Sequence, residues 1–106
     1  MGGRGGEVSD SAPISAALQF EWDPAKSVSN KNKHGIDFEE AKALWQDAKR
    51  MTVDAGFTGP EPRQVTIGML DGKMYLAVTT QRGQATRIIS VRRCRQEEVD
   101  RYAEEP

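Results

Sequence analysis

The sequence predicts an α+β fold: an antiparallel sheet of four to five strands, with two helices before it and one after it. Three observations lead to this prediction. Two helix-start signals lie close together, at Asp23-Pro24 and at Asp37-Phe38-Glu39-Glu40. From residue 63 to residue 95, three β-forming stretches follow one another with short turns between them. The chain then closes with an acid-rich helical segment, and we expect all three helices on one face of the sheet.

Composition limits the class of protein. The chain has 106 residues, of which 37% are hydrophobic and 29% charged, with a net charge of −1. These values are typical of one globular domain, and no apolar run approaches the length of a membrane-spanning helix. One cysteine and one histidine exclude an internal disulfide and disfavour a metal site, so we expect a cytoplasmic protein without metal or cofactor. Residues 1–17, rich in Gly, Ser and Ala, predict a disordered leader before a single domain at 18–106.

Local signals define the N-terminal elements. Residues 18–22 alternate apolar and polar side chains and predict a first strand. Asp23 as N-cap and Pro24 at the first helical position begin a helix that runs to His34, where Gly35 supplies a left-handed stop. A second, amphipathic helix follows the cap at Asp37, because apolar residues recur at helical spacing: Phe38, Ala41, Leu44 and Trp45.

The C-terminal half is predicted as a meander of strands. Residues 50–53 form a short strand, and residues 55–62, rich in Gly and Pro, form a loop. The strands at 63–70 and 74–80 are joined by Asp71-Gly72, a pair that favours a type I′ turn. A turn at 82–84 then leads into the last strand, and residues 95–105 form the closing helix.

The last strand carries an unusual concentration of positive charge. Between Arg82 and Arg95 there are five arginines and no acid, although the whole chain is almost neutral. Strand alternation puts Ile89 and Val91 on one face, and Ile88, Ser90 and Arg92 on the other. Two interpretations remain open at this point. In the first, a rigid strand holds the arginine guanidinium groups in position to bind phosphate. In the second, these groups pair with the acids of the helix that follows.

The available side chains favour one kind of chemistry. The sequence has no Gly-rich phosphate loop and no evident Ser/His/Asp set. Cations, hydroxyls and one imidazole suit metal-free cleavage of RNA, because RNA supplies its own 2′-hydroxyl nucleophile. The base is His34, or a lysine or tyrosine with a perturbed pKa. A non-catalytic module that binds nucleic acid or protein is the alternative, and the near-neutral charge counts against a DNA-binding regulator.

Several phrases of the sequence resemble the BrnT family, the toxin half of the BrnT–BrnA type II toxin–antitoxin pairs. They occur in the family's order and spacing over residues 20–103: Phe20-Glu21-Trp22-Asp23-Pro24-Ala25-Lys26, Asn30, Lys33-His34-Gly35, Phe38-Glu39-Glu40-Ala41, Arg63, Ile67-Gly68, Arg87-Ile88-Ile89-Ser90-Val91-Arg92-Arg93, Glu98 and Tyr102. The resemblance implies a RelE-like fold and a ribonuclease activity that halts translation. It also implies a BrnA-like antitoxin that carries the DNA-binding part of a heterotetrameric complex.

The same resemblance suggests functional residues. Arg92 and Ser90, on one predicted face, are the first choice for a phosphate clamp, and Arg87 and Arg93 are placed on the other face. His34 matches a motif histidine and is a candidate base, although it could instead cap the helix end; Lys33 is a candidate acid, base or phosphate ligand. Charge adds further candidate RNA contacts, which together are Arg82, Arg92, Arg95, Lys31 and Lys33.

Overall fold

The computed structural model describes residues 19–57 and 61–104. The predicted leader, residues 1–17, lies outside the described residues. The elements in chain order are β1 (Gln19–Glu21), α1 (Pro24–His34), α2 (Phe38–Ala41), a 3₁₀ helix (Lys42–Gln46), β2 (Met51–Phe57), β3 (Pro62–Leu70), β4 (Lys73–Arg82), β5 (Ala85–Arg93) and α3 (Gln96–Glu104). The predicted α+β class and the order of its elements are confirmed.

The five strands form one sheet in the order β1-β5-β4-β3-β2. Neighbours from β2 to β5 are antiparallel, and the hairpin signals predict this arrangement for β3, β4 and β5. The sheet is nevertheless mixed, because β1 pairs with β5 in parallel. Hairpin signals specify only strands that are adjacent in sequence, so they give no information on where β1 joins the sheet.

The cap signals specify the helix ends correctly. The Asp23 side chain accepts a hydrogen bond from the Ala25 N–H, and Gly35 ends α1 with a φ of 77°. Asp37 forms a reciprocal capping box with Glu40 at the start of α2. This helix has only one turn before it tightens into the 3₁₀ helix. None of the described helices has the length and apolar content needed to cross a membrane.

The turn predicted at Asp71-Gly72 is confirmed, whereas the loop predicted at residues 55–62 is wrong in its first part. Asp71 and Gly72 both have positive φ, 53° and 76°, as a type I′ turn requires. By contrast, residues 55–57 belong to β2 rather than to the predicted loop. A bulge accommodates the glycine: the register with β3 shifts between Asp54 and Gly56, and Gly56 has a φ of 80°.

Helices cover both faces of the sheet. Tyr75 and Ala77 of β4 belong to a buried cluster with residues of α2 and its flanks: Ile36, Phe38, Ala41 and Leu44. Met74 and Leu76, which alternate with them, belong to a second cluster that Val99 and Tyr102 of α3 pack against. The expectation of three helices on one face is therefore wrong for α3. The continuous apolar run in β4 is itself the signature of a strand buried on both faces.

A bulge in β5 changes which side chains share a face. Ser90 pairs with Val78, whereas Ile88 pairs with Thr79, the next residue of β4, so Ile89 is an extra residue. As a result, Ile88 and Val91 are both buried in the same cluster. The predicted grouping of Ile88 with Ser90 is therefore wrong. The predicted placement of Arg87 on the face opposite Ser90 is wrong as well, because Arg87 pairs with Thr80 and Ser90 with Val78, which share a face of β4. Ser90 and Arg92 do share a face, since both follow the bulge.

Candidate functional site

A buried asparagine fixes α1 beside β5. The register of β5 with β1 ends at Arg87, which leaves the rest of that strand edge open. Asn30, 6% exposed, lies over this edge. Its side-chain amide donates to the carbonyl oxygens of Ile36 at 2.8 Å and Val91 at 2.9 Å, and its oxygen accepts from the Val91 N–H at 3.1 Å. The side chain thus replaces the neighbouring strand that Val91 lacks.

Two adjoining clefts open where α1 meets the bulge of β5. The helix cleft, of about 270 Å³, is lined by Lys26, Ser29, Asn30, Lys33, His34, Ile89 and Ser90. The arginine cleft, of about 210 Å³, is lined by Asp23, Lys26, Glu61, Arg63, Arg82, Arg87, Ile88 and Ile89. Lys26 and Ile89 line both clefts, so the two are parts of one groove. We refer to them together as the groove.

The helix cleft combines cations with hydroxyl groups. Lys26 and Lys33 are two helical turns apart on α1, so they point to the same side, and Ser29 lies between them. His34 follows at the end of α1, and Ser90 faces these residues from β5. Within the described part of the chain, neither lysine has a carboxylate within salt-bridge distance, in contrast to several other cations of the protein. The cleft therefore presents unneutralised positive charge to solvent.

The arginine cleft is more nearly neutral than the helix cleft, because carboxylates pair with two of its arginines. Arg82 pairs with Glu61 through two contacts, of 2.9 and 3.3 Å. The Nη1 of Arg87 donates to Glu21 at 2.8 Å. These carboxylates hold two arginine forks in place against the sheet. The third arginine, Arg63 of β3, has no such partner among the described residues.

Arg92 lies apart from the groove. Its guanidinium donates to both carboxylate oxygens of Glu98, at 2.9 and 2.7 Å. Hydrogen bonds from Arg92, opposed by burial and helped by the Arg95 N–H, lower the pKa of Glu98 to about 2. Of the two interpretations left open by the sequence, Arg92 follows the second, pairing with the helix that comes next. It therefore has no place in the mechanism proposed below, and its role as an RNA ligand stays a prediction.

Some of the other predicted site residues line the groove, and others, like Arg92, lie outside it. Ser90, Lys33 and His34 meet in the helix cleft, with Arg82 and Arg87 next to them in the arginine cleft. Three others lie outside the linings of both clefts: Arg93 over the ring of Tyr75 at 5.7 Å, Arg95 at the start of α3, and Lys31 paired with Glu40 at 2.8 Å.

Sequence reasoning missed three residues that line the groove. Lys26 and Ser29 share helical spacing with Lys33, and that signal could have placed them on one side of α1. Arg63 is part of the family resemblance, but its position beside the arginines of β5 depends on the sheet topology and had no local signal. No cluster of three or more His, Cys, Asp or Glu side chains able to hold a metal occurs within residues 19–57 and 61–104.

The fold and the groove together define a class of protein. A small α+β domain with cations, hydroxyls and an imidazole in one open groove is suited to bind a polyanion and to carry out acid–base chemistry on a phosphodiester. Comparison with known families narrows this class. A family model described as "Ribonuclease toxin, BrnT, of type II toxin-antitoxin system" matches residues 22–98, and the chain belongs to this family. No curated protein matches the chain. The resemblance seen in the sequence is thus confirmed, and a type II system implies a cognate antitoxin.

Proposed function

We infer that this ribonuclease toxin binds RNA along the groove and cuts it in the helix cleft. The observation that carries the proposal is the convergence of Lys33, His34 and Ser90 in one cleft. Two of these residues are adjacent at the end of α1, and the third, Ser90, directly follows the bulge of β5. A base, a cation and a hydroxyl at one place are the groups that cleavage by RNA's own 2′-hydroxyl requires.

In the proposed reaction, the 2′-oxygen bonds to the adjacent phosphorus while the bond from phosphorus to the 5′-oxygen breaks. His34 accepts the proton of the 2′-hydroxyl, since imidazole readily exchanges protons near neutral pH. Lys33 protonates the departing 5′-oxygen. Lys26 and the Ser90 hydroxyl stabilise the negative charge that builds up on the phosphate oxygens. The products are a 2′,3′-cyclic phosphate and a 5′-hydroxyl, and the protein's cations neutralise charge in the way a metal ion would.

The test is cleavage of a short RNA by the purified chain in the presence of a chelator. We expect ends carrying a 2′,3′-cyclic phosphate, or the 3′-phosphate that forms when water adds to its phosphorus and the bond to the 2′-oxygen breaks. His34→Ala should slow cleavage about a hundredfold or more. Lys33→Ala should also slow it, whereas Lys31→Ala should have little effect, because Lys31 lies on the same helix but is paired with Glu40 outside the groove.

Two outcomes would contradict the proposal. Equal rates for Lys31→Ala and Lys33→Ala would mean that the helix cleft is not the site of cleavage. Binding of RNA without cleavage at any protein concentration would support the non-catalytic binding module instead. The folded fraction of each variant is measured first, so that loss of structure is not mistaken for loss of activity.

The proposal extends to the cell and to the partner. RNA cleavage would halt translation, so expression without the antitoxin should arrest growth. The antitoxin would lay an acidic or amphipathic helix over residues 82–95 and so block RNA. Following the family resemblance, the complex would be heterotetrameric and would bind DNA through the antitoxin. A complex whose contacts avoid residues 82–95 would overturn the proposed mode of inhibition.

A further inference from the structure

Arg63 is the one guanidinium of the arginine cleft that has no ion-pair partner among the described residues. The side chain is half-buried, and its Nε is a buried donor without any hydrogen-bond partner there. Arg82 and Arg87, in the same cleft, are each paired with a carboxylate. A buried charged donor without a partner is costly, so such a group calls for a physical explanation.

The strand register places Arg63 among the other arginines. Gln64 pairs with Thr79, so Arg63 lies opposite Thr80. Thr80 in turn pairs with Arg87. Arg63 and Arg87 therefore flank Thr80 on the same face of the sheet, and Arg82, two residues after Thr80, points to that face as well. Three arginines from three adjacent strands thus converge on one cleft.

The residues around this trio are arranged for an anion. Thr80 is 1% exposed, and its hydroxyl donates a hydrogen bond to the Pro62 carbonyl at 2.8 Å. Thr80 therefore lies beneath the three arginines, and its side chain pairs with none of them. Four cations and two acids line the cleft within the described residues, and Glu21 adds a third carboxylate through its pair with Arg87, which leaves one positive charge in excess. Rigid strands carry the arginine side chains, which limits the entropy lost when a ligand binds.

We propose that the arginine cleft is a second phosphate subsite, in which Arg63 is the central ligand for the phosphodiester next to the scissile one. This inference rests on the proposed function, because it takes the helix cleft as the place where RNA is cut. The two clefts share Lys26 and Ile89 as walls, so a strand bound in one continues into the other. That continuity favours RNA over an acidic side chain of the antitoxin.

The test compares two substrates and three variants. A dinucleoside monophosphate contains only the scissile phosphate, whereas a hexanucleotide with the same central step also supplies neighbouring phosphates. For Arg63→Gln we expect kcat/KM to fall about ten- to a hundredfold for the hexanucleotide and to be unchanged for the dinucleotide. Arg63→Lys should lie in between, since it keeps the charge but not the fork. Arg101→Gln, exposed on α3, is the matched control and should resemble the wild type.

Binding gives a second readout that does not depend on cleavage. A hexanucleotide with 2′-O-methyl groups cannot supply the nucleophile, so its affinity can be measured directly against salt concentration. Removing one phosphate contact from a single strand should reduce the slope of log K against log salt by about 0.7. Denaturant unfolding of Arg63→Gln establishes that the variant is folded, and Arg63→Lys replaces it if it is not.

The possible failures are distinguishable. If the wild type cleaves neither substrate, the proposed function fails. The binding measurement then decides whether Arg63 contacts a phosphate: an unchanged salt slope in Arg63→Gln would overturn the subsite. If the wild type cleaves both but Arg63→Gln affects both equally, Arg63 belongs to the cleavage centre and the subsite is overturned. The subsite is also overturned if Arg63→Gln changes neither substrate, or if it weakens only the affinity for the antitoxin.

Discussion

Replacing Asn30 with alanine tests how α1 is held against β5, and therefore how the groove is formed. The change removes three hydrogen bonds at buried atoms, one to Ile36 and two to Val91. Each contributes about 1 kcal/mol net, and the better helix propensity of alanine returns about 0.5 kcal/mol. We therefore expect a loss of about 2–3 kcal/mol in the free energy of unfolding, a large fraction of the stability of a small domain.

Denaturant unfolding measures this loss, and cleavage of a short RNA measures its consequence for the groove. Asn32→Ala is the matched control, because Asn32 is exposed on the same helix and the substitution is identical. The control should change the unfolding free energy by less than about 0.5 kcal/mol. If Asn30→Ala were no more destabilising than Asn32→Ala, Asn30 would not be replacing the hydrogen bonds of a neighbouring strand.

Two further predictions concern α3 and the 3₁₀ helix. The pKa of Glu98 is about 2 in the folded chain, below its ordinary value of 4.5, so the stability it gives is present above pH 4.5 and is lost as pH falls toward 2. Glu98→Gln should therefore lower the unfolding free energy at neutral pH by about 2 kcal/mol, a value that allows for solvent screening of the partly exposed Arg92. In this variant the unfolding free energy should also decrease less between pH 4.5 and pH 2 than it does in the wild type. Unfolding curves with the same pH dependence as the wild type would disprove this. Gly68→Ala should destabilise by about 1 kcal/mol, because a Cβ would lie 3.0 Å from the Leu44 carbonyl oxygen. Calorimetry showing an equal or higher Tm would count against it.

Much of the fold could be predicted because it depends on local chemistry. Asp23, Gly35 and Asp37 specify helix ends through contacts only a few residues away in sequence, and Asp71-Gly72 specifies a turn in the same way. The bulge at Ile89 could not be predicted, since it depends on the register with another strand. Strict alternation therefore gave the wrong face for Ile88.

The candidate site was predicted less well, for a related reason. Arginines in one strand form a conspicuous pattern, but charge alone does not show which carboxylate each of them meets. Glu98 lies only six residues from Arg92, and the pattern was compatible with pairing or with phosphate binding. Arg63 lies far away in sequence, and only the packing of three strands brings it into the groove. Lys33, His34 and Ser90 each match a motif of the sequence, but nothing in the sequence indicates that they line a common cleft.

Cleavage in the helix cleft is tested most directly by comparing two kinds of variant in one RNA cleavage assay. The first removes a group of the helix cleft, as in His34→Ala. The second removes the charged pair beside α3, as in the double variant Arg92→Gln, Glu98→Gln, which leaves no unpaired buried charge. For folded proteins, we expect His34→Ala to lose cleavage about a hundredfold or more while the double variant stays close to wild type. Cleavage that survives His34→Ala but is lost in the double variant would contradict it.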